Sequence, residues 1–228
     1  MSEISERSIH TTVGAEVPEP RAPVAAQPVP AEAEAPAVPT GDPSIIGLPA
    51  FLAGAVALGL VDINFAPVAA AGAAVPIIMT ATSLGLFIAA VWAARLAQNA
   101  VAAVMAIFGG FWLSFAAVAL GLQSGWFAIL PAGIARTVEV FLITWLVVIG
   151  LLTVGTLRLP LAYTVLFVLI DVALLVTLFA TVEASVSLTK TAGWIVLAFT
   201  AVGAYLFLSA LSVATGGKPY PMGRPLVR

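Results

Sequence analysis

Residues 160–182 read PLAYTVLFVLIDVALLVTLFATV, and the only charge among them is Asp171, close to the middle. About 20 predominantly apolar residues suffice to cross the hydrocarbon core of a bilayer as a helix. A backbone in that solvent must satisfy its own hydrogen bonds, which a helix does within one segment. The stretch therefore predicts a membrane-spanning helix. Five more of the same kind follow from outward inspection, at 45–62, 73–97, 100–122, 138–157 and 191–213. None of the six presents a polar face wide enough to meet water, which excludes a soluble helical bundle. The predicted fold class is all-α, an integral membrane bundle of six helices.

Composition agrees. Of the 228 residues, 61% are hydrophobic and 9% charged, against about 45–50% and 25% in ordinary soluble domains. Mean hydropathy is +1.12. The charges are unevenly placed. Glu3, Glu6, Glu16, Glu19, Glu32 and Glu34 precede residue 42 with only Arg7 and Arg21 against them, whereas the remainder is mildly basic, as suits a body between anionic headgroups. Residues 1–41 are rich in Pro, Ala and Glu without any period, too little to offset the entropy of ordering, and are expected to form a disordered cytoplasmic tail. The transmembrane domain is then 42–215, and 216–228 a short cytoplasmic C-terminal tail.

There is no cysteine, and the single histidine, His10, lies in the tail. Thiolate and imidazole metal sites, Cys-His nucleophiles and haem ligation by paired histidines are thereby excluded, and no cofactor is expected. An intramembrane serine protease would need a histidine within the bilayer. A paired-aspartate protease would need a second mid-membrane acid, and Asp62 stands at the end of a span. An enzyme is not expected, and no basic patch suggests nucleic acid.

Boundaries and orientation follow from particular residues. Thr40-Gly41-Asp42-Pro43 sets a capping carboxylate before a proline, a helix-start pattern. The first span closes at Asp62-Ile63-Asn64, the longest loop is expected over 121–133, and 183–190 links spans five and six. Trp126, Trp145 and Trp194 fall where interfacial indoles are common. With the N-terminus inside, Arg7, Arg21, Arg95, Arg158, Lys218, Arg224 and Arg228 are cytoplasmic and only Arg136 and Lys190 external. The positive-inside rule therefore puts both termini in the cytoplasm.

Gly47, Ala50, Gly54 and Ala57 share one face of the first span, where a neighbouring helix, or a narrow pore, can come close. Asp171 costs roughly 2.5–3.5 kcal/mol at a helix centre, so it must be protonated, paired or wet, and it is the candidate for proton coupling or gating. Glu139, three residues after Arg136, is expected to pair with it on one helix face. Asp62, Asn64 and Glu183 are expected as solvated caps.

The segment Asp42-Pro43-Ser44-Ile45-Ile46-Gly47-Leu48-Pro49-Ala50-Phe51 resembles the opening motif of the acetate uptake transporter family, Asn-Pro-x-Pro-Leu-Gly-Leu followed shortly by Phe. Gly110-Phe111-Trp112-Leu113, Gly155-Thr156-Leu157-Arg158, Ala192-Gly193-Trp194-Ile195, Ala204-Tyr205-Leu206 and Pro221-Met222-Gly223 continue the similarity in family order. The family includes bacterial acetate and succinate permeases and related fungal membrane proteins. The resemblance implies a homohexamer in the cytoplasmic membrane with one pathway per subunit for acetate or a similar short carboxylate, as proton-coupled transporter or anion channel. It also implies a constriction at Phe51, Phe108 and Ile170, with Asp42, Ser44, Gly47 and Leu48 along the same pathway. Phe108 stands where the family has tyrosine, Asp42 where it has asparagine, and the second-helix Gly-Gly and Gln-Glu pattern is missing around 83–95. A channel for succinate or ammonium and a non-transporting scaffold remain the alternatives.

Overall fold

The computed structural model describes residues 40–66 and 68–227; the tail expected over 1–41 lies almost wholly outside them. Among the described residues there is no strand. Six helices are long and apolar enough to cross a membrane: α1 Ser44–Asp62, α2 Gly72–Arg95, α3 Asn99–Ser124, α4 Pro131–Thr156, α5 Leu161–Val182 and α6 Val186–Ala214. They stand in a ring in chain order, α1 against α2, α2 against α3, α4 against α5, α5 against α6, and α6 back against α1. The α3–α4 seam is the most open, because bulky rings hold those helices apart. Phe111 and Phe115 on α3 meet Phe141 and Trp145 on α4 with centroids 5.5–6.0 Å apart. Trp145 therefore belongs to this seam and not to an interfacial belt, while Trp126 and Trp194 are exposed.

Three boundaries differ from the sequence reading. The third span runs on to Ser124, so the loop expected over 121–133 begins only at Gly125, whose positive φ ends the helix. The fourth span begins at Pro131, not 138, since the Arg136–Glu139 ion pair lets the helix run through its polar first turns. The sixth begins at Val186, not 191, because the Ser185 side chain accepts from the Leu188 N–H (3.3 Å) and caps it there. Lys190 is thus helical and the α5–α6 link is only Glu183–Ser185.

Five helix ends close in the same way. A residue with positive φ, namely Asn64, Ala97, Gly125, Ala184 or Gly216, is followed by an amide that reaches back five residues. Phe65 bonds Leu60 O, Gln98 Ala93 O, Trp126 Gly121 O, Ser185 Ala180 O and Gly217 Ser212 O, at 2.7–3.0 Å. The end of α4 is served differently. Residues 216–227, expected as a tail, fold back as a strap in which the Leu226 and Val227 amides donate to Leu157 O, while Ala162 N–H donates to Met222 O and the Tyr205 hydroxyl to Pro221 O.

α2 is irregular. A 3-10 turn at Val68–Ala74 leads into Val75–Ile77, then a π turn at Ile78–Thr82, then regular helix from Ser83. Pro76 removes an amide, the Thr80 hydroxyl donates to Pro76 O (2.6 Å), and the Ser83 hydroxyl donates to Ile78 O, five residues back (2.7 Å).

The outward faces are apolar. Leu84, Ile88 and Val91 on α2 and Val140, Val147, Leu151 and Val154 on α4 are all well exposed, at helical spacing, a surface suited to lipid tails.

Candidate functional site

α1 is the spine of the site, and small residues let both its neighbours come close. A Cβ at Gly54 would lie 2.7 Å from Thr82 Oγ1 on α2, and one at Gly85 of α2 would lie 2.5 Å from Ala50 Cβ. On the other side a Cβ at Gly203 of α6 would sit 3.0 Å from Leu52, and one at Gly193 would sit 2.7 Å from Asp62 Cβ. The thin face of α1 is therefore packed closely against its neighbours, and Gly47 meets Met105 and Ala89.

Inside the ring lies a cavity of about 100 Å³, bordered by every span except α2. That is room for a few waters or one small solute. Phe51, Phe108 and Ile170, the three expected constriction residues, all border it and are all buried. The Phe51 and Phe108 rings meet edge to face, centroids 5.3 Å apart. Phe51 also touches Phe199 (5.8 Å) and Trp112 (6.1 Å), and Phe108 meets Phe167 at 5.6 Å. Along α1 the cavity runs from Phe51 past Leu58 to Asp62, a rise of roughly 16 Å at 1.5 Å per residue. Toward the N-terminus of α1 it stops, and Gly47 and Leu48 there are buried in packing.

The remaining pathway residues lie at that closed end. Asp42 is exposed, and its Oδ1 accepts from the Ser44 N–H (3.0 Å) and from the Ser44 hydroxyl. The carboxylate thus occupies the amide that a helix start would otherwise offer an anion. Gln98 Nε2 donates to Gly41 O (2.9 Å) and pins this end to the α2–α3 turn.

Asp171 does not border the cavity. Ile170 does, and adjacent residues on a helix point about 100° apart. Asp171 faces α4 instead, where its Oδ2 accepts from the Thr153 hydroxyl (2.6 Å), while its Oδ1 is buried without a partner. Sequence reasoning passed over most of the cavity wall. Phe108, Phe111, Trp112 and Phe115 recur at i, i+3, i+4 and i+7 on α3, a stripe that was available to find. It also took Asp62 for a solvated cap, whereas Asp62 is partly buried on the cavity wall because Gly193 lets α6 close over it.

The sequence profile of the GPR1/FUN34/yaaH family matches residues 25–218, most of the chain and all six spans. The chain belongs to this family. The GPR1/FUN34/yaaH assignment agrees with the resemblance carried by Asp42–Phe51. A search of curated proteins finds no match. Among solved structures, that of a bacterial acetate channel, SatP, superposes with a TM-score of 0.71 at 20% identity, over 81% of this chain and the whole of that one. At this identity the likeness establishes a shared fold. The family member described here is a multi-pass membrane protein, and its fold is that of the SatP chain.

Proposed function

We propose that the chain passes acetate or a similar short monocarboxylate across the cytoplasmic membrane, through the cavity bordered by Phe51, Phe108 and Ile170. The observation that carries this reading is a small aromatic cavity inside a six-helix membrane bundle of the GPR1/FUN34/yaaH family, on the fold of an acetate channel. In the proposal the three residues form the waist. Leu48, Gly47, Ser44 and Asp42 continue the path toward the α1 N-terminus, which opens when the packing there loosens. Asp171 acts from beside the conduit, through its hydrogen bond to Thr153, as a group that tunes gating or proton coupling. The unit in the membrane is a homohexamer with both termini in the cytoplasm, supported by the apolar outward faces of α2 and α4 and by the seven-to-two distribution of basic residues.

The test is uptake of labelled acetate into proteoliposomes, above protein-free vesicles, with and without an imposed pH gradient. Protein-dependent uptake is expected, faster with acid outside. No uptake at any pH would refute the reading.

A further inference from the structure

The cavity wall contains one charged residue. The Phe, Trp, Leu, Ile, Ala and Val side chains that make up most of it offer no cation, and the Thr177 hydroxyl is engaged with Ala173 O (2.8 Å). Asp62 is the exception, at the last position of α1. The arrangement is unfavourable to an anion in three ways. A carboxylate entering an apolar cavity loses its water without gaining a base. It approaches a like charge. And α1 directs the partial negative end of its backbone dipole to the same place.

Among the described residues the one ion pair is Arg136–Glu139, so no base lies within ion-pair distance of Asp62. The elements around this end carry few other charges. α4 brings Arg136 and Glu139, engaged with each other; α5 ends at exposed Glu183; α6 has exposed Lys190, one turn before Gly193; α3 ends in uncharged Gln123 and Ser124; and α1 continues into Ile63 and Asn64. Gly193 brings α6 against Asp62: a Cβ added to the glycine would lie 2.7 Å from Asp62 Cβ.

We propose that Asp62 is a specificity-determining residue, whose carboxylate turns back carboxylate ions at the α1 C-terminal end of the cavity and leaves the conduit to the protonated, uncharged acid. This rests on the transport reading above. It adds which species is carried: net movement of acid is then a movement of acetate together with its proton, and it is electrically silent. A ring of acids selecting against anions is the ordinary logic of charged pore mouths, applied here to one residue per pathway.

The test uses the full chain, in proteoliposomes for labelled acetate uptake and in planar bilayers for acetate-dependent current at pH 8, where nearly all acetate is ionised. Wild type is expected to take up acetate without current. Asp62→Asn, nearly isosteric, is expected to admit the ion, giving an acetate current at least about tenfold above the protein-free leak that bounds wild type, the scale on which a like charge a few Å away acts. Asp62→Glu restores the charge and is expected to silence the current again. Wild type that takes up acetate and passes acetate current would overturn the role of Asp62 alone. So would Asp62→Asn protein that elutes and melts like wild type yet stays electrically silent. Wild type without protein-dependent uptake overturns the transport reading itself, and with it this inference.

Discussion

Truncation of Phe51 to alanine probes the waist and the energetics of the bundle together. In a water-soluble core, Phe→Ala costs roughly 3–5 kcal/mol, a transfer term plus a cavity term. The transfer term falls away here, because a span that leaves the bundle remains in lipid, as apolar as the core it left. What remains is the void. Phe51 is 5% exposed and its ring touches those of Phe108, Trp112 and Phe199. A void on the order of 100 Å³ at about 24 cal/mol per Å³ gives about 2.4 kcal/mol. The variant should therefore fold, less stably, with an enlarged cavity. Its waist loses the edge-to-face pair that narrows it. Labelled acetate and butyrate uptake, measured side by side in proteoliposomes, reads out selectivity, and tryptophan fluorescence during unfolding in detergent reads out stability. Butyrate should gain on acetate several-fold. An unchanged ratio in folded Phe51→Ala would place the waist elsewhere, and a loss near 5 kcal/mol would refute the argument that lipid is the reference solvent.

Thr153→Val removes the donor to Asp171 and should destabilise the bundle by about 0.6–1.7 kcal/mol, the range for hydrogen bonds between membrane helices, as checked by unfolding in mixed micelles. Asp171→Asn keeps that bond but cannot titrate, so acetate flux should depend less on an imposed pH gradient, and an unaltered dependence would leave Asp171 a structural acid. Ala184→Gly should stabilise by about 1 kcal/mol, since alanine is held there at φ 49°, a conformation that costs an L side chain roughly that much; a loss of stability in the same unfolding assay would contradict it. Reporter fusions should place Gly125 outside and Lys218 in the cytoplasm. Mass measurement in nanodiscs should give a multiple of the 23.3 kDa chain, and a fully active monomer would refute the oligomer.

The sequence made the six spans legible because the bilayer imposes one rule, a long apolar run, on each of them. It located the ends of α1 and α5 closely where Asp42, Asn64 and Pro160 punctuate the chain, but began the α3–α4 loop at Gly121, inside a helix that runs on to Ser124. It misplaced the starts of α4 and α6, where helix continues through polar residues: the Arg136–Glu139 pair and the Ser185 cap act through side-chain bonds that hydropathy does not register. Of the site, Phe51, Phe108 and Ile170 were reached through resemblance, and the structure gathers them around one cavity. Asp62 was missed for a physical reason. Its burial depends on Gly193, more than a hundred residues away, and a glycine announces how close a helix can come without saying which one. The strap was unreadable likewise, since its amides answer a carbonyl at Leu157 that only the folded turn exposes.

The π turn at Ile78–Thr82 has a bearing on which insertions and deletions the gene can tolerate. A π turn is an α-helix carrying one surplus residue, so deleting a single codon within it would restore regular helix and leave both flanks in their present register. The same deletion a few codons later would turn one half of the span about 100° against the other. Leu86, Ala89, Ala90 and Ala93, all buried now, would swing away from their neighbours. Length variation within this span is therefore expected to be confined to five positions, and a related chain one residue shorter should show its gap there.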